Sequence, residues 1–518
     1  VVEFDPQMIH SQIRQVNRRS SLRHRFIVIV ALAIQGILIS GTRAEEPWFE
    51  EISPENSGLD FRFDNGSRGQ FDLPEIMAGG FAVADFDADG LPDLFFCQGG
   101  PIEKRPEQGT GTDQAPRPHQ AADDPPCVWY RNLGDLKFRK MDTGQAGPSY
   151  AMGAWPADFD GDGLTDLFVT GWRGWSILRN LGGWKFEDRT ASLGHTIPEW
   201  STAAVWFDFD RDGNLDLCVG GYLKYDPARA PYCAAPDGRR DYCGPEDFEP
   251  VANRLFRGDG KGRFVDVSGK LGETRSHGRT LGAIASDFDA DGDLDLFIAN
   301  DGTACELLVN QGGESGFRDE AISSGVAFDG SGQALAGMGV AVIRSGDAND
   351  LLVTNFFGRG TVRFGRGKGT TFRDLSAESG IRQATSTVNG FGIAVADFDG
   401  DGIDEIIQAN GHVLSRERLG TPFAMPPVLL RKLESEGYRA VDRRIFPVAD
   451  RPMAGRGLLV ADFDGDTKPD VLIARLDGPP VLLRNVTPRG QRRAQHARGA
   501  GGSYLSGIDL TRKSPGTR

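Results

Sequence analysis

Short apolar runs separated by acidic turns recur down the whole chain. The runs FAVADF (81–86), AAVWFDF (203–209), AIASDF (283–288), GIAVADF (392–398) and LLVADF (458–463) each precede a polar turn and a second apolar run. The second runs are LFFCQGG (94–100), LFVTGW (167–172), LCVGGY (217–222), LFIAND (296–301) and IIQANG (406–411). Segments this short, bounded by Asp, Asn and Gly, read as strands rather than helices. A third element follows each pair: two apolar residues, a variable one, often Asn or Gly, a Gly-rich turn, then an aromatic residue. It is seen in WYRNLGDLKFRKM (129–141), ILRNLGGWKFEDRT (177–190), RLFRGDGKGRFVDVS (254–268), LLVNQGGESGFRDE (307–320), VRFGRGKGTTFRDLS (362–376) and LLRKLESEGYRAVD (429–442). Two strands joined by a tight glycine turn make a hairpin.

Each unit is therefore four short antiparallel strands, the unit of a propeller blade. A further unit lies between 338 and 377, where Met338–Val342 and Leu351–Asn355 are joined by IRSGDAND (343–350) in place of an acidic turn. The prediction is an all-β, seven-bladed β-propeller of four-stranded antiparallel blades. The last repeat stops at VLLRN (481–485), without a fourth strand, whereas WFEEIS (48–53) resembles the blade ending FRDLS (372–376). Residues 48–53 are predicted to supply the missing outer strand, closing the ring and removing an open sheet edge.

The turns between first and second strands share one spacing, Asp-x-Asp-x-Asp-Gly-x-x-Asp. The carboxylates at positions one, three, five and nine are Asp85, Asp87, Asp89 and Asp93; Asp158, Asp160, Asp162 and Asp166; Asp208, Asp210, Asp212 and Asp216; and Asp287, Asp289, Asp291 and Asp295. Two loops depart from the pattern. Asp397, Asp399 and Asp401 are completed by Glu405, and Asp462, Asp464, Asp466 and Asp470 surround Thr467, which stands where the others have Gly. Alternate carboxylates on a curling chain converge on a centre, Gly at position six permits positive φ, and a calcium ion takes six to eight such oxygens. An isolated Asp-Gly turn needs no metal. Six in register with a structural repeat predict structural Ca2+, four to six ions, with the loop at 343–350 empty, the Glu405 loop retained and the Thr467 loop strained.

The formal net charge is −15, and six divalent cations would bring it to about −3. No basic stripe with interleaved aromatics is present, so nucleic acid is not an expected partner. A basic segment with Arg14, Arg18, Arg19, Arg23 and Arg25 precedes the apolar stretch Phe26 to Ile39, and Ala44 is followed by Glu45 and Glu46. This reads as a signal peptide over 1–44, its apolar part short of the roughly 20 residues that span a bilayer. The expectation is an exported monomer without a stable membrane span after cleavage, placed outside the cell, at its surface or in a periplasm. Cys233 and Cys243 flank a polar loop and are candidates for a disulfide, whereas Cys97, Cys218 and Cys305 sit in or beside apolar strands and read as buried.

The acidic loops and glycine hairpins resemble the FG-GAP or VCBS repeats of seven-bladed propellers such as the integrin α head. GQFDLPEIMAGGFAVADFDADG (69–90), DYCGPEDFEPVANRLFRGDGKGRFVDVS (241–268) and RGLLVADFDGDTKPDVLIARLDGPPVLLRN (456–485) resemble the bacterial ASPIC/UnbV proteins, similar to the cartilage acidic protein group. The resemblance covers about 45–487 and implies ions that stabilise the blades while partners dock elsewhere. Beyond 487 the chain departs from that family: residues 488–518 retain only GGSYLS (501–506), a truncated remnant of an UnbV domain in an expected disordered tail.

Two insertions interrupt the blade pattern. Residues 101–126 are rich in Pro, Gly and charge and read as a mobile loop, while 222–250 carry aromatics and the Cys pair and read as ordered. Insertions in a repeat ring gather on one face, often the binding face. The leading expectation is a non-catalytic scaffold recognising an extracellular protein or glycan. The rival is a polysaccharide lyase or glycan hydrolase, for which His277 and His412 are the candidate bases and Arg279 the candidate carboxylate partner. No Gly-x-Ser-x-Gly nucleophile and no Cys/His zinc cluster supports it.

Overall fold

The computed structural model describes residues 46–488 apart from 78, 103–126, 146, 149, 195–199, 273–277, 347, 415–416, 418–419 and 434–435. The expected leader, most of the 101–126 insertion, His277 and the tail past 488 lie outside the described residues. Among the described residues no helix is long and apolar enough to cross a membrane.

Seven four-stranded antiparallel sheets follow one another along the chain. Blade 1 is Phe81–Ala84, Asp93–Phe96, Val128–Asn132 and Phe138–Met141. Blade 2 spans Ala151–Ala157 to Phe186–Asp188, blade 3 Ser201–Phe207 to Phe264–Asp266, and blade 4 Thr280–Ser286 to Phe317–Asp319. Blade 5, the unit without an acidic turn, is Val340–Ser345, Ala348–Val353, Val362–Arg366 and Phe372–Asp374. Blade 6 runs from Gly390–Ala396 to Gly437–Ala440. Blade 7 holds Gly455–Ala461, Asp470–Arg475 and Val481–Asn485, and its fourth strand is Phe49–Ile52 from the start of the described chain. The register of that closure is Phe49 opposite Asn485 through Ile52 opposite Leu482.

Second strands are buried on both faces almost throughout, which explains their unbroken apolar runs, whereas the fourth strands of blades 2 and 4 bury their leading aromatic and expose the residues after it. The aromatic at position two of each acidic loop crosses to the next blade. Phe86 packs on Phe186 (6.1 Å between ring centres), Phe159 on Phe264 (5.7 Å), Phe209 on Phe317 (6.1 Å) and Phe288 on Phe372 (6.1 Å). Phe398 meets Phe49 at 5.3 Å, and Phe463 meets Phe138 at 6.0 Å, carrying the same contact across the ring closure. In every case the partner is the aromatic that opens the next fourth strand. Such pairs add about 0.5–1.5 kcal/mol each beyond the area they bury.

Strand direction sorts the connections into two sets. With four alternating strands per blade, the turns between strands one and two share an end of the sheet with the turns between strands three and four. All six acidic loops and the glycine hairpins therefore lie on one face. The connections between strands two and three, with those between blades, lie on the other, and the insertion at 222–250 belongs to that second set.

Candidate functional site

Each acidic loop is held by its own carboxylates. In blade 1, Asp85 accepts the N–H groups of Asp89 (3.1 Å) and Gly90 (2.8 Å), and Asp89 accepts that of Leu91 (2.9 Å). Asp158 accepts from Asp162 and Gly163 at 3.0 and 2.9 Å, and Asp208 from Asp212 and Gly213 at 3.1 and 3.0 Å. The blade 7 loop keeps the same path: Thr467 donates to Asp462 at 2.8 Å, with φ at +70°. Position four is left-handed as well, even where it is Ala88 (φ +59°), Arg211 (+60°) or Ala290 (+69°), a demand that the Gly at position six does not reveal.

The position-nine carboxylate does more than face the loop. Asp166 is fully buried and accepts N–H groups from Phe159 (3.1 Å) and from Asn180 on the third strand (2.7 Å). Asp93, Asp216, Asp295 and Asp470 repeat both bonds, with Gly258 in the place of Asn in blade 3. Burial pushes their carboxyls up, Asp93, Asp216 and Asp295 to about 7 and Asp166 and Asp470 to about 8, against the pull of these backbone donors. Glu405, one methylene longer, keeps the bond from Phe398 (2.9 Å) but, among the described residues, not that from the third strand, and burial with the nearby Asp399 pushes it up to about 9.

Three carboxylates converge in each of four loops. Oxygens of Asp85, Asp87 and Asp93 lie within 4.8 Å of one another, as do those of Asp158, Asp160 and Asp166, of Asp208, Asp210 and Asp212, and of Asp287, Asp289 and Asp291. Several oxygens in these centres are buried without a hydrogen-bond donor among the described residues: Oδ1 of Asp87, Asp160, Asp210 and Asp397, and Oε1 of Glu405. A buried carboxylate oxygen left so is costly, and an all-oxygen donor set of this kind suits a hard divalent cation.

An arginine accompanies five loops from the variable position before the third-strand Asn or its equivalent. Arg131 pairs with Asp87 at 2.7 Å, Arg431 with Asp399 at 2.9 Å, Arg484 with Asp464 at 2.8 Å and Arg257 with Asp210 at 3.8 Å; Arg179 pairs with Asp160. Each takes Oδ2 of the position-three Asp. In blades 1 to 3 this leaves Oδ1 as the orphan. Blade 4 has Val309 at this position, and the extra Asp293 of its loop is paired with Arg211 of blade 3 at 2.8 Å. The recurring Arg was visible in the repeats, but nothing in its spacing tied it to an Asp 19 to 47 residues earlier.

Blade 5 solves the same problem without an acidic loop. Asp350 occupies the position-nine place and still accepts the third-strand N–H, from Arg366 at 3.0 Å. Its other oxygen takes Nε and Nη2 of Arg363 at 2.8 and 2.6 Å, both partners buried, where other blades use the N–H of the loop aromatic.

On the opposite face, the insertion 222–250 is closed at its base by pairing of Leu223 with Pro250 and near its tip by a Cys233–Cys243 disulfide. It packs on the segment that precedes blade 1. Tyr225 donates to Asp72 (2.6 Å), Tyr242 to Glu75 (2.8 Å), and Tyr222 to Asp301 at the end of a blade 4 strand (2.8 Å). Phe71 meets Tyr242, while Trp172 and Trp200 meet Tyr225. Exposed on this hairpin are Tyr232, 69% accessible, and Arg240, whose guanidinium lies 5.6 Å from the Tyr232 ring.

Arg279 and His412, the two candidate catalytic residues among those described, lie in different blades. Arg279 adjoins blade 4, and its guanidinium donates to Phe248 O at 3.4 Å. His412 is buried in blade 6, where Nδ1 accepts the Leu414 N–H at 2.9 Å, the ring meets Phe356 and its carbonyl accepts from buried Arg456 at 3.1 Å. A turn-fixing imidazole accounts for it. His277 lies outside the described residues.

Residues 158–219, the acidic loop of blade 2 through the second strand of blade 3, match the profile described as an FG-GAP-like repeat. No curated protein sequence matches the chain. Among solved structures it is similar to one described as the structural basis of specific recognition of non-reducing terminal N-acetylglucosamine by an Agrocybe aegerita lectin. That match has 15% identity and a TM-score of 0.41, over 78% of this chain and 87% of the other. It is also similar to a crystal structure of BBS1N in complex with ARL6DN, soaked with lead, at 9% identity and a TM-score of 0.45, over 87% of this chain and all of that one.

Proposed function

We propose that this protein is an exported, calcium-stabilised propeller that acts as a non-catalytic recognition scaffold for an extracellular protein or glycan, in the manner of the ASPIC/UnbV group. The observation that carries the reading is the division of labour between faces. Buried, donorless carboxylate oxygens collect in loops on one face, while the disulfide-closed insertion with exposed Tyr232 and Arg240 stands on the other. The residues that would hold the ions are the carboxylates at positions one and three, joined by position nine in blades 1 and 2 and by position five in blades 3 and 4. A bound ion supplies positive charge that lets these carboxylates stay ionised while buried; the protein itself supplies the Phe and Asn contacts that connect each loop to the next blade. The ions are thus a structural element and the insertion face the recognising one.

The test is a glycan array and a pull-down from extracellular material with the calcium-loaded protein, repeated with Tyr232→Ala/Arg240→Ala. The reading expects a saturable partner whose binding falls at least tenfold in the variant at unchanged melting temperature. Loss of binding on substituting exposed acidic-face residues, with the insertion variant unaffected, would contradict it.

A further inference from the structure

Cys97 and Cys127 stand across from each other at the mouth of the first insertion. The paired second and third strands of blade 1 run Leu94 opposite Tyr130, Phe95 opposite Trp129 and Phe96 opposite Val128, so the next residues outward are Cys97 and Cys127. The N–H of Cys97 turns the other way, donating to Gly80 O at 3.1 Å on the first-strand side. Backbone polar groups alternate sides along a strand, so Cys97 and Cys127 form a non-hydrogen-bonded pair, the type with Cα atoms about 4.5 Å apart and side chains on one face. That spacing falls within the range a disulfide spans. Both are free thiols in the structure, buried in one apolar cluster with Phe95 and Trp129. Burial pushes the Cys127 thiol up to about 12, and burial with neighbouring Cys127 raises that of Cys97, so neither is a ready nucleophile once the blade has closed.

We propose that Cys97 and Cys127 are joined by a second disulfide, made during folding, that clips together the two ends of the insertion at 98–126. The Cys233–Cys243 bond and the export proposed above, on which this inference rests, both fit folding where thiols are oxidised. In the step proposed, the two thiols lose two protons and two electrons as the S–S bond forms. The electrons pass to the disulfide of a thiol oxidoreductase or of oxidised glutathione, which leaves as two thiols. The bond joins the ends of blade 1 strands two and three, the same pair of strands that 222–250 connects in blade 3. Its neighbour Gln98 is already a node there, accepting from Asp64 N at 2.8 Å and donating to Arg62 O at 3.1 Å.

The experiment counts thiols in the unmodified full chain, purified without reductant from an oxidising compartment. The protein is unfolded in guanidinium with iodoacetamide and digested for mass spectrometry, and the linked Cys233–Cys243 peptide certifies that oxidising conditions prevailed. The expected result is alkylation of Cys218 and Cys305 alone, with a peptide pair linked through Cys97 and Cys127 that separates on reduction. Alkylated Cys97 and Cys127 in a sample whose Cys233–Cys243 bond is intact would overturn the proposal.

Discussion

Asn180 in blade 2 donates its side-chain amide to Phe86 O in the acidic loop of blade 1 at 2.8 Å, while its backbone N–H donates to Asp166 in its own blade at 2.7 Å. Asn132 does the same to Phe463 O, Asn310 to Phe209 O and Asn485 to Phe398 O, at 2.8–2.9 Å. With the ring of the same Phe packed on the next blade, each such loop is a joint between blades as well as a candidate metal site. Asn180→Ala leaves Phe86 O and Thr165 O without this donor in a buried setting, which costs about 1–3 kcal/mol. Urea denaturation is expected to show that loss, and an unchanged midpoint would contradict the role given to the amide.

Blade 5 is predicted to be indifferent to ions. Arg363→Ala strands buried Asp350 and is expected to cost about 3–5 kcal/mol, equally with calcium and with chelator, whereas Asp350→Asn/Arg363→Met removes both charges and recovers most of it. A cost that vanished under chelation would tie this pair to the metal loops instead.

Thr467 adopts a left-handed conformation that a β-branched residue tolerates poorly. Relief of about 1–2 kcal/mol of strain, less about 0.5–1 for the freedom glycine gains in the unfolded chain, leaves Thr467→Gly more stable by a fraction of a kcal/mol to about 1. A melting temperature lowered by this substitution would show that Thr467 makes a compensating contact.

Glu306 provides a pH test away from the acidic loops. Burial, with Asp319 adding to it and the Asn300 amide opposing, pushes its carboxyl up to about 8 from 4.5. The folded protein keeps that proton while the unfolded chain ionises, so the stability it contributes is complete below pH 4.5 and is lost as pH rises towards about 8. Glu306→Gln should melt higher than the parent at pH 8–9 and close to it at pH 4.5. An equal difference at both pH values would contradict a buried, proton-holding Glu306.

The repeats were legible because their physics is local. Strand length, the Asp spacing and the closing strand at 48–53 all follow from residues adjacent in sequence, and the disulfide candidates flank one short loop. What stayed hidden depends on partners brought together by the ring. The Asn in WYRN and ILRN reads as a turn former, yet its amide reaches back a whole blade. Arg363 replaces a loop N–H from the middle of a strand where other blades have apolar residues. The Tyr242 contact with Glu75 spans 167 positions, so an ordered insertion could be foreseen but not what it rests on.

The central claim is that the acidic loops bind calcium and that this holds the blades together. The direct measurement is metal content by mass spectrometry of the chelated and calcium-dialysed protein, paired with thermal melting of the same two samples. The account predicts four to six ions bound per chain and a melting temperature that falls markedly on chelation, with a midpoint that rises with free calcium as ligand linkage requires. Fewer than two ions bound, or the same melting temperature in both samples, would contradict it.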